Sequence, residues 1–197
     1  HVPSIKKFIE KADAVVIGPG IGERKESQRA CWELIQESIS SGKKVVVDAD
    51  AILSLKGKNC DGKVIITPHA GEFKELTGIT LPKDMEERKK IVMQEAKKLN
   101  ATILLKGEID IITDGNVVKL NKIHNQAMTV GGTGDVLAGI CGAMLSKGVE
   151  PYNAARIAAF LNGMAGNYAF ERKSYGMVAS DLLQEIPEVL KNFLPDK

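Results

Sequence analysis

Short apolar runs alternate with longer amphipathic stretches through the first half of the chain. Helical periodicity of 3.6 residues covers residues 26–40 and about 85–99, and Gly42 is a stop signal for the first of these helices. Four apolar runs are typical of buried strands. They are "AVVIG" (14–18), "KVVVDADA" (44–51), "KVIITPHAGEF" (63–73) and "TILLKG" (102–107). Strands separated by helices predict right-handed crossovers and a largely parallel sheet that is covered by helices on both faces.

The pattern changes after residue 108. Two β-type runs within 109–121 flank Asp114-Gly115, a strong signal for a β-hairpin. Two helices follow, over about 133–147 and 151–170, and then a short C-terminal helix that Ser180 is expected to cap. The prediction is an α/β fold of three layers, with a largely parallel central sheet, an antiparallel edge hairpin and a helical C-terminal third.

Composition supports one domain over residues 1–197 and excludes several functions. The 197 residues are 44% hydrophobic, enough for one substantial core. Lys and Arg number 27 against 25 Asp and Glu, aromatic residues make up 5%, and no basic stripe indicates nucleic-acid binding. No signal peptide or membrane-spanning run is found. The chain has three widely spaced cysteines, Cys31, Cys60 and Cys141. An odd number at this spacing is not a disulfide framework, so it predicts a reducing, cytoplasmic setting.

Glycine or charge follows each of the four predicted parallel strands. The segments are "GPGIG" (18–22), "DADA" (48–51), "TPHAGE" (67–72) and "KGEID" (106–110). Ligands of open parallel sheets bind outside the carboxyl ends of the strands, where these segments converge. This edge of the sheet is therefore the predicted active site.

The stretch "VGGTGDVLAG" (130–139) adds a glycine-rich turn ahead of a helix. Successive N–H groups in such a turn form an anion-binding nest, and the helix dipole adds to it. No Lys-Ser/Thr follows, so it is not a Walker A loop. Asp135 either caps the helix or acts as a base beside the anion. Because Thr133 could serve as the cap, the carboxylate is free for chemistry, such as taking a proton from an attacking hydroxyl.

The remaining candidates each have a functional and a structural interpretation. Lys106 either neutralises a phosphate or is simply solvated, and His69 either contacts a ligand or is structural. "GPGIG" lacks the spacing of a dinucleotide fingerprint and is better explained as a tight turn near a substrate. Asp48 and Asp50 either orient water or metal or cap a helix over 50–55.

Small residues in "FLNGMAGNYAF" (160–170) mainly predict close packing of that helix: Gly163, Ala165 and Gly166.

Together these segments resemble the ribokinase-like superfamily, and more closely the NAD(P)H-hydrate dehydratase family. The resemblance rests on "IGPGIG", "VVDADA", "TPHAGEF", "LLKGEIDIITDG", "GGTGDVLAG" and "NGMAG", in that order, from about residue 12 to 187. It implies dehydration of (S)-NADHX or (S)-NADPHX to NADH or NADPH, driven by ATP or ADP through transient phosphorylation of the hydrate hydroxyl. The donor is left open, and Mg²⁺ is expected with it, without assigned ligands.

The resemblance also implies roles for individual residues. Asp135 would be the catalytic base and a substrate contact. The anion hole would consist of Gly132, Thr133 and Gly134. The other nucleotide-binding residues would be Lys106, Gly107, Glu108, Ile109, Asp110, Asn125 and Gly131. Gly20, Gly22 and His69 would bind the substrate.

The resemblance has two departures. Family members begin with a further Gly- and Ala-rich segment that contacts substrate, and nothing before "HVPSIKKFIEKADA" resembles it. We therefore expect an N-terminally truncated chain with an unfilled sheet edge and reduced activity alone. Asn162 stands where relatives often have histidine, which leaves the role of that helix open.

Two rival functions fit the same anion hole: a kinase acting on a vitamin-precursor hydroxyl, and a non-catalytic nucleotide-binding module. The expected partners are the hydrate and an adenine nucleotide, without nucleic acid or membrane. Relatives commonly associate, which implies a homo-oligomer, and the archaeal users of ADP are often fused to an upstream epimerase domain.

Overall fold

The computed structural model describes residues 2–193 and contains one six-stranded sheet. The strands are β1 (Ala14–Ile17), β2 (Lys44–Val47), β3 (Val64–Ile66), β4 (Thr102–Leu105), β5 (Asp110–Thr113) and β6 (Val118–Asn121). They lie side by side in chain order; β1 to β4 are parallel, and the hairpin of β5 and β6 adds antiparallel to β4. The predicted parallel sheet and edge hairpin are confirmed.

The described residues also form seven α-helices and three 3₁₀ segments. The helices are α1 (Val2–Lys11), α2 (Lys25–Ser40), α3 (Ala70–Thr77), α4 (Met85–Leu99), α5 (Thr133–Ser146), α6 (Pro151–Lys173) and α7 (Ala179–Phe193). The 3₁₀ segments are Ala49–Leu55, Gln126–Thr129 and Ser174–Gly176. None of the helices within residues 2–193 has the length and apolarity needed to cross a membrane.

Strand residues alternate between two cores, one on each face of the sheet. In β2, Val45 and Val47 pack with helices α1 to α4, whereas Val46 packs with α5, α6 and α7. Because β1 to β4 advance in one direction, their right-handed crossovers all fall on the same face. The other face is left to the C-terminal helices, which gives the three layers predicted from the sequence.

Two predicted strands are shorter in the structure than their apolar runs. The run 44–51 ends its strand at Val47 and continues as the 3₁₀ segment Ala49–Leu55. The run 63–73 ends its strand at Ile66, and its second part begins α3. Pro68 has no N–H to donate to a strand ladder, which helps to end β3 before the helix begins. Both strands therefore end where the sequence analysis placed the segments "DADA" (48–51) and "TPHAGE" (67–72), and the apolar residues beyond them belong to the following helical segments.

Ser180 does not cap the C-terminal helix, contrary to the prediction. It is the second residue of α7, and the Asp181 carboxylate accepts the N–H of Val178 at 2.9 Å. An acidic residue in the first helical turn can bind the preceding N–H and also faces the positive end of the helix dipole. Asp181, and not Ser180, is therefore the side chain that forms a hydrogen bond at the start of α7.

The small residues of α6 permit close packing, as predicted. A Cβ atom at Gly163 would lie 1.7 Å from the Ile123 carbonyl oxygen, and one at Gly166 would lie 2.2 Å from the Met128 sulfur. Only glycine leaves space for this approach, so both positions are explained by packing against the segment after β6.

Candidate active site

The carboxyl ends of the parallel strands meet at one edge of the sheet. The Asp48 N–H after β2 donates to the Ile17 carbonyl of β1 at 3.0 Å, and the Lys106 N–H after β4 donates to the Pro68 carbonyl at 2.8 Å. A Cβ atom at Gly18 would lie 1.7 Å from the Asp48 carbonyl oxygen, so only glycine fits there. The predicted convergence of the strand ends is confirmed.

The turn before α5 leaves the start of this helix without a side-chain cap. Gly132 is the N-cap residue, with a left-handed φ of 93°, and it has no side chain to accept the first N–H groups. The first backbone hydrogen bond of the helix runs from Val136 N–H to the Gly132 carbonyl. The N–H groups of residues 133–135 thus precede the helical ladder, where an anion is bound favourably.

Thr133 does not cap this helix, which corrects the sequence analysis. Its hydroxyl lies 2.8 Å from the Met128 carbonyl and 3.1 Å from the Val130 carbonyl, so it donates back into the turn. This contact stabilises the shape of the turn instead of satisfying a helical N–H. The backbone of Thr133 remains part of the predicted anion hole.

Asp135 is the third residue of α5, and its side chain is exposed at the turn. A carboxylate buried in packing could not have reached a substrate. Its exposure keeps the predicted role of catalytic base open, and that role remains a prediction.

Lys106 is ion-paired and not merely solvated. Its Nζ lies 2.9 Å from Asp48 Oδ1 and 3.7 Å from Glu72 Oε2, and the side chain is 23% exposed. A Cβ atom at Gly134 would lie 3.5 Å from the same Nζ. The ammonium group therefore stands directly beside the glycine-rich turn, as a phosphate-binding lysine must.

His69 caps α3, so its structural interpretation is correct. Its Nδ1 accepts the N–H of Gly71 at 2.9 Å and that of Glu72 at 3.2 Å, while Glu72 Oε2 accepts the His69 N–H at 2.7 Å. This is a reciprocal capping box with histidine at the N-cap. The ring is 61% exposed, and its Nε2 remains available for a substrate.

The loop that contains Gly20 and Gly22 is held by polar side chains. Asp50 Oδ2 accepts the Gly22 N–H at 2.8 Å, and the Gln28 amide donates to the Asp50 carbonyl at 2.7 Å. Gly20 and Gly22 have φ values of 75° and 81°, in the left-handed region that favours glycine. Asp50 thus holds a loop, which neither alternative of the sequence analysis anticipated.

The segment after β4 is organised by a buried carboxylate. Asp110 accepts the Gly107 N–H at 3.1 Å and the Asn121 amide at 3.0 Å. Burial raises the pKa of Asp110, while both hydrogen bonds act in the opposite direction. The carbonyl of Glu108 contacts His124 Nε2. Asp110 therefore shapes the loop that holds Gly107, Glu108 and Ile109, whose nucleotide contacts remain predicted.

Asn125 has its side chain engaged in structure. It caps the 3₁₀ segment by accepting the Ala127 N–H at 3.0 Å, and its amide donates to Asn167 at 2.9 Å. A role for Asn125 in nucleotide binding stays a prediction.

A small cleft of about 220 Å³ opens between the 3₁₀ segment after β2 and α3. Asp50, His69 and Glu72 are among its lining residues, so it adjoins the predicted substrate side. A larger cavity, about 850 Å³, lies between β6 and α6 and contains none of the predicted site residues. Within residues 2–193 there is no group of three or more His, Cys, Asp or Glu side chains placed to bind a metal ion.

Sequence reasoning missed the partners that arrange the site. Glu72 was not singled out, and Asp48 was considered only for water, metal or capping. Both contact the side chain of Lys106, although Asp48 precedes it by 58 residues and Glu72 by 34 residues. The available signal was a carboxylate directly after a buried strand, but its partner depends on which strands are neighbours.

The sequence model of the NAD(P)H-hydrate dehydratase family matches residues 3–188. The chain belongs to this family. The resemblance inferred from the strand-end motifs is confirmed, and with it the ribokinase-like fold.

Relatives and a solved structure agree with this assignment. The chain is 43% identical over 193 residues to the bifunctional NAD(P)H-hydrate repair enzyme Nnr of Pyrobaculum aerophilum, covering 98% of this chain and 38% of that protein. It is 40% identical to the ADP-dependent (S)-NAD(P)H-hydrate dehydratase of Cenarchaeum symbiosum, covering 92% and 63%. The ADP/ATP-dependent NAD(P)H-hydrate dehydratase of Bacillus subtilis, co-crystallized with ATP/Mg²⁺, is 28% identical with a TM-score of 0.81, covering 96% and 70%. The chain thus spans well under two thirds of the Pyrobaculum protein.

Proposed function

We propose that this protein dehydrates (S)-NADHX or (S)-NADPHX to NADH or NADPH, with ADP or ATP as phosphoryl donor. The observation that carries the proposal is the uncapped start of α5, with the exposed Asp135 and the ammonium of Lys106 beside it. Membership of the family supplies the substrate class. Relatives named as ADP-dependent and ADP/ATP-dependent make both nucleotides reasonable donors.

The chemistry turns a poor leaving group into a good one. Asp135 accepts the proton of the hydrate hydroxyl as that oxygen attacks the terminal phosphoryl group of the nucleotide. The N–H groups of residues 133–135 stabilise the charge on the transferring group, and Lys106 neutralises the phosphates. The nucleotide leaves as ADP from ATP, or as AMP from ADP. The C–O bond of the phosphorylated hydrate then breaks, inorganic phosphate departs with the bonding electrons, and the adjacent ring carbon loses a proton to water, which restores the double bond of the dihydronicotinamide.

Mg²⁺ fits this site as a companion of the nucleotide. Mg²⁺ commonly keeps several waters and binds through substrate phosphates with only one or two carboxylates. The described residues hold no three-ligand cluster, in agreement with an ion carried chiefly by the phosphates. When bound, the ion would help to neutralise phosphoryl charge, next to Lys106.

The deciding experiment is product identity. The protein is incubated with (S)-NADHX, Mg²⁺ and either ADP or ATP, and both inorganic phosphate and the absorbance of reduced nicotinamide are followed. The proposal predicts that both products appear in equal amounts, and that the R epimer, as the matched control, is not consumed. Accumulation of a phosphorylated hydrate without NADH would instead support the rival small-molecule kinase.

The proposed setting is a reducing compartment such as the cytoplasm. The three cysteines are free and buried, and burial raises the pKa of each thiol, which makes the thiols unreactive. The relatives named bifunctional are much longer than this chain, which supports a second catalytic domain, an epimerase, on the same polypeptide.

A further inference from the structure

Asp48 carries a carboxylate side chain at a position that is almost completely buried from solvent. It directly follows β2, its residue is 1% exposed, and its side chain makes no cap to the 3₁₀ segment that begins after it. Its carboxylate accepts the Thr67 hydroxyl at 2.7 Å and the Lys106 ammonium at 2.9 Å. A buried carboxylate is costly unless it is paired, and replacing such pairs by apolar residues often stabilises a protein. Stability alone therefore gives a weak reason for this ion pair.

Lys106 needs an anchor if it is to act at the glycine-rich turn. A lysine side chain has many rotamers and would otherwise sample many positions. Its ammonium has two carboxylate partners, Asp48 at 2.9 Å and the more distant Glu72 at 3.7 Å. The shorter contact places Nζ beside Gly134. An ammonium group has three donors, so the pair with Asp48 leaves others for phosphate oxygens.

We infer that Asp48 is a positioning residue, which holds the Lys106 ammonium against the turn of α5 for binding of the nucleotide phosphates. Thr67 supports it by donating to the same carboxylate oxygen. The inference rests on the proposed function for the identity of the ligand, an adenine nucleotide. Asp48, the first aspartate of "DADA", would thus act on nucleotide binding. Asp50, the second, instead holds the loop of Gly22, which is a predicted substrate contact.

The test is direct binding of ADP and of ATP with Mg²⁺, measured by titration calorimetry in the absence of hydrate. In the Asp48→Asn variant the ion pair becomes a hydrogen bond from the ammonium to an uncharged amide oxygen, and among the described contacts Glu72 remains the carboxylate partner of Lys106. We expect about a tenfold loss of nucleotide affinity, because the weaker contact no longer holds the ammonium in one position. Asp114→Asn is the matched control and should leave nucleotide affinity unchanged, because Asp114 lies in the turn after β5, at the opposite edge of the sheet.

A double-mutant cycle separates positioning from a general structural effect. In a Lys106→Met background, Asp48→Asn should weaken nucleotide binding no further, and it should recover stability by removing an unpaired buried charge. Thermal unfolding of each variant verifies that it is folded.

Wild-type affinity in Asp48→Asn, tighter binding, or equal losses in both backgrounds would overturn the inference. So would a wild-type protein that binds neither nucleotide. If nucleotide binds and the cycle is non-additive while no NADH forms, the inference stands and the proposed dehydratase function fails.

Discussion

Two helices that begin at the same edge of the sheet have similar sequences in their first turns, but side chains cap the first helix and not the second. In α3 and in α5 the second helical residue is glycine and the third is acidic, Gly71-Glu72 and Gly134-Asp135. In α3 the acidic side chain turns back to the N-cap N–H, and His69 accepts the N–H groups of the first turn. In α5 the N-cap is Gly132, no side chain caps the helix, and the carboxylate is exposed.

The difference lies in the N-cap residue. A helix start whose N–H groups are already satisfied by its own side chains has little left to offer a ligand, whereas an uncapped start retains its donors and its dipole. The acidic side chain of a third helix, α7, also turns back toward the helix start, because Asp181 accepts the Val178 N–H. In α5, by contrast, the Asp135 carboxylate is exposed, and Lys106 stands beside the turn.

Replacing Asp135 by Asn at the uncapped start of α5 should cause the largest loss of turnover. The variant keeps the shape of the open helix start but cannot accept a proton, so turnover should fall by about 10²- to 10⁴-fold. Steady-state formation of NADH measures the loss, and binding of ADP should persist. Asp84→Asn is the matched control, because Asp84 caps α4 and asparagine caps equally well. Undiminished turnover in Asp135→Asn would contradict the role of Asp135 as catalytic base, whereas nucleotide binding without any turnover in the wild type would favour the non-catalytic nucleotide-binding module.

Alanine at the second position of each helix should separate the open start from the closed one. At Gly134 a Cβ atom fits, 3.5 Å from Lys106 Nζ, but it enters the space expected for phosphate. We expect weaker nucleotide binding and a loss of turnover of up to about 10²-fold, with the fold retained. At Gly71 a Cβ atom would meet His69 Cε1 at 2.8 Å and displace the ring, so Gly71→Ala should alter α3 without changing nucleotide affinity. Equal effects on nucleotide binding would contradict the distinction between the two helices.

Substitutions of His69 test whether this residue only caps α3 or also contacts the substrate. His69→Ala removes the cap and should lower the free energy of unfolding by about 1 kcal/mol. His69→Asn restores a good N-cap without the imidazole, so stability should recover. If the ring also contacts the hydrate, the KM for (S)-NADHX stays raised in both variants. Denaturant unfolding and steady-state kinetics on the same samples separate the two roles, and a normal KM in His69→Asn would leave the residue a cap only.

The smallest expected effect is on the free energy of unfolding at acidic pH, through Asp181 at the start of α7. A hydrogen bond from Lys173 and then one from the Val178 N–H lower the pKa of Asp181. Because the folded pKa is below the unfolded value of about 3.9, the stabilisation is present above that pH and is lost as the pH falls through the folded value. The difference in unfolding free energy between wild type and Asp181→Asn should therefore shrink below about pH 4. A constant difference down to low pH would contradict this linkage.

Local patterns in the sequence were sufficient for much of this site. Asp114-Gly115 predicted the hairpin, and "GGTGD" predicted an anion-binding turn with an acid in the first turn of a helix. The same patterns misplaced the caps, assigning them to Thr133 and Ser180. Several residues near a helix start can cap it, and the one that does so is selected by the path of the preceding chain, which periodicity does not describe.

The sequence by itself determined the alternation of strands and helices and the glycine-rich start of α5, because these depend on contacts between residues a few positions apart. The tertiary structure alone decided that Asp48, Glu72 and Gly134 surround the Lys106 ammonium, and that Asp50 holds Gly22. Those contacts join segments that follow different strands, and their distances depend on strand order and register, which no local stretch of sequence encodes.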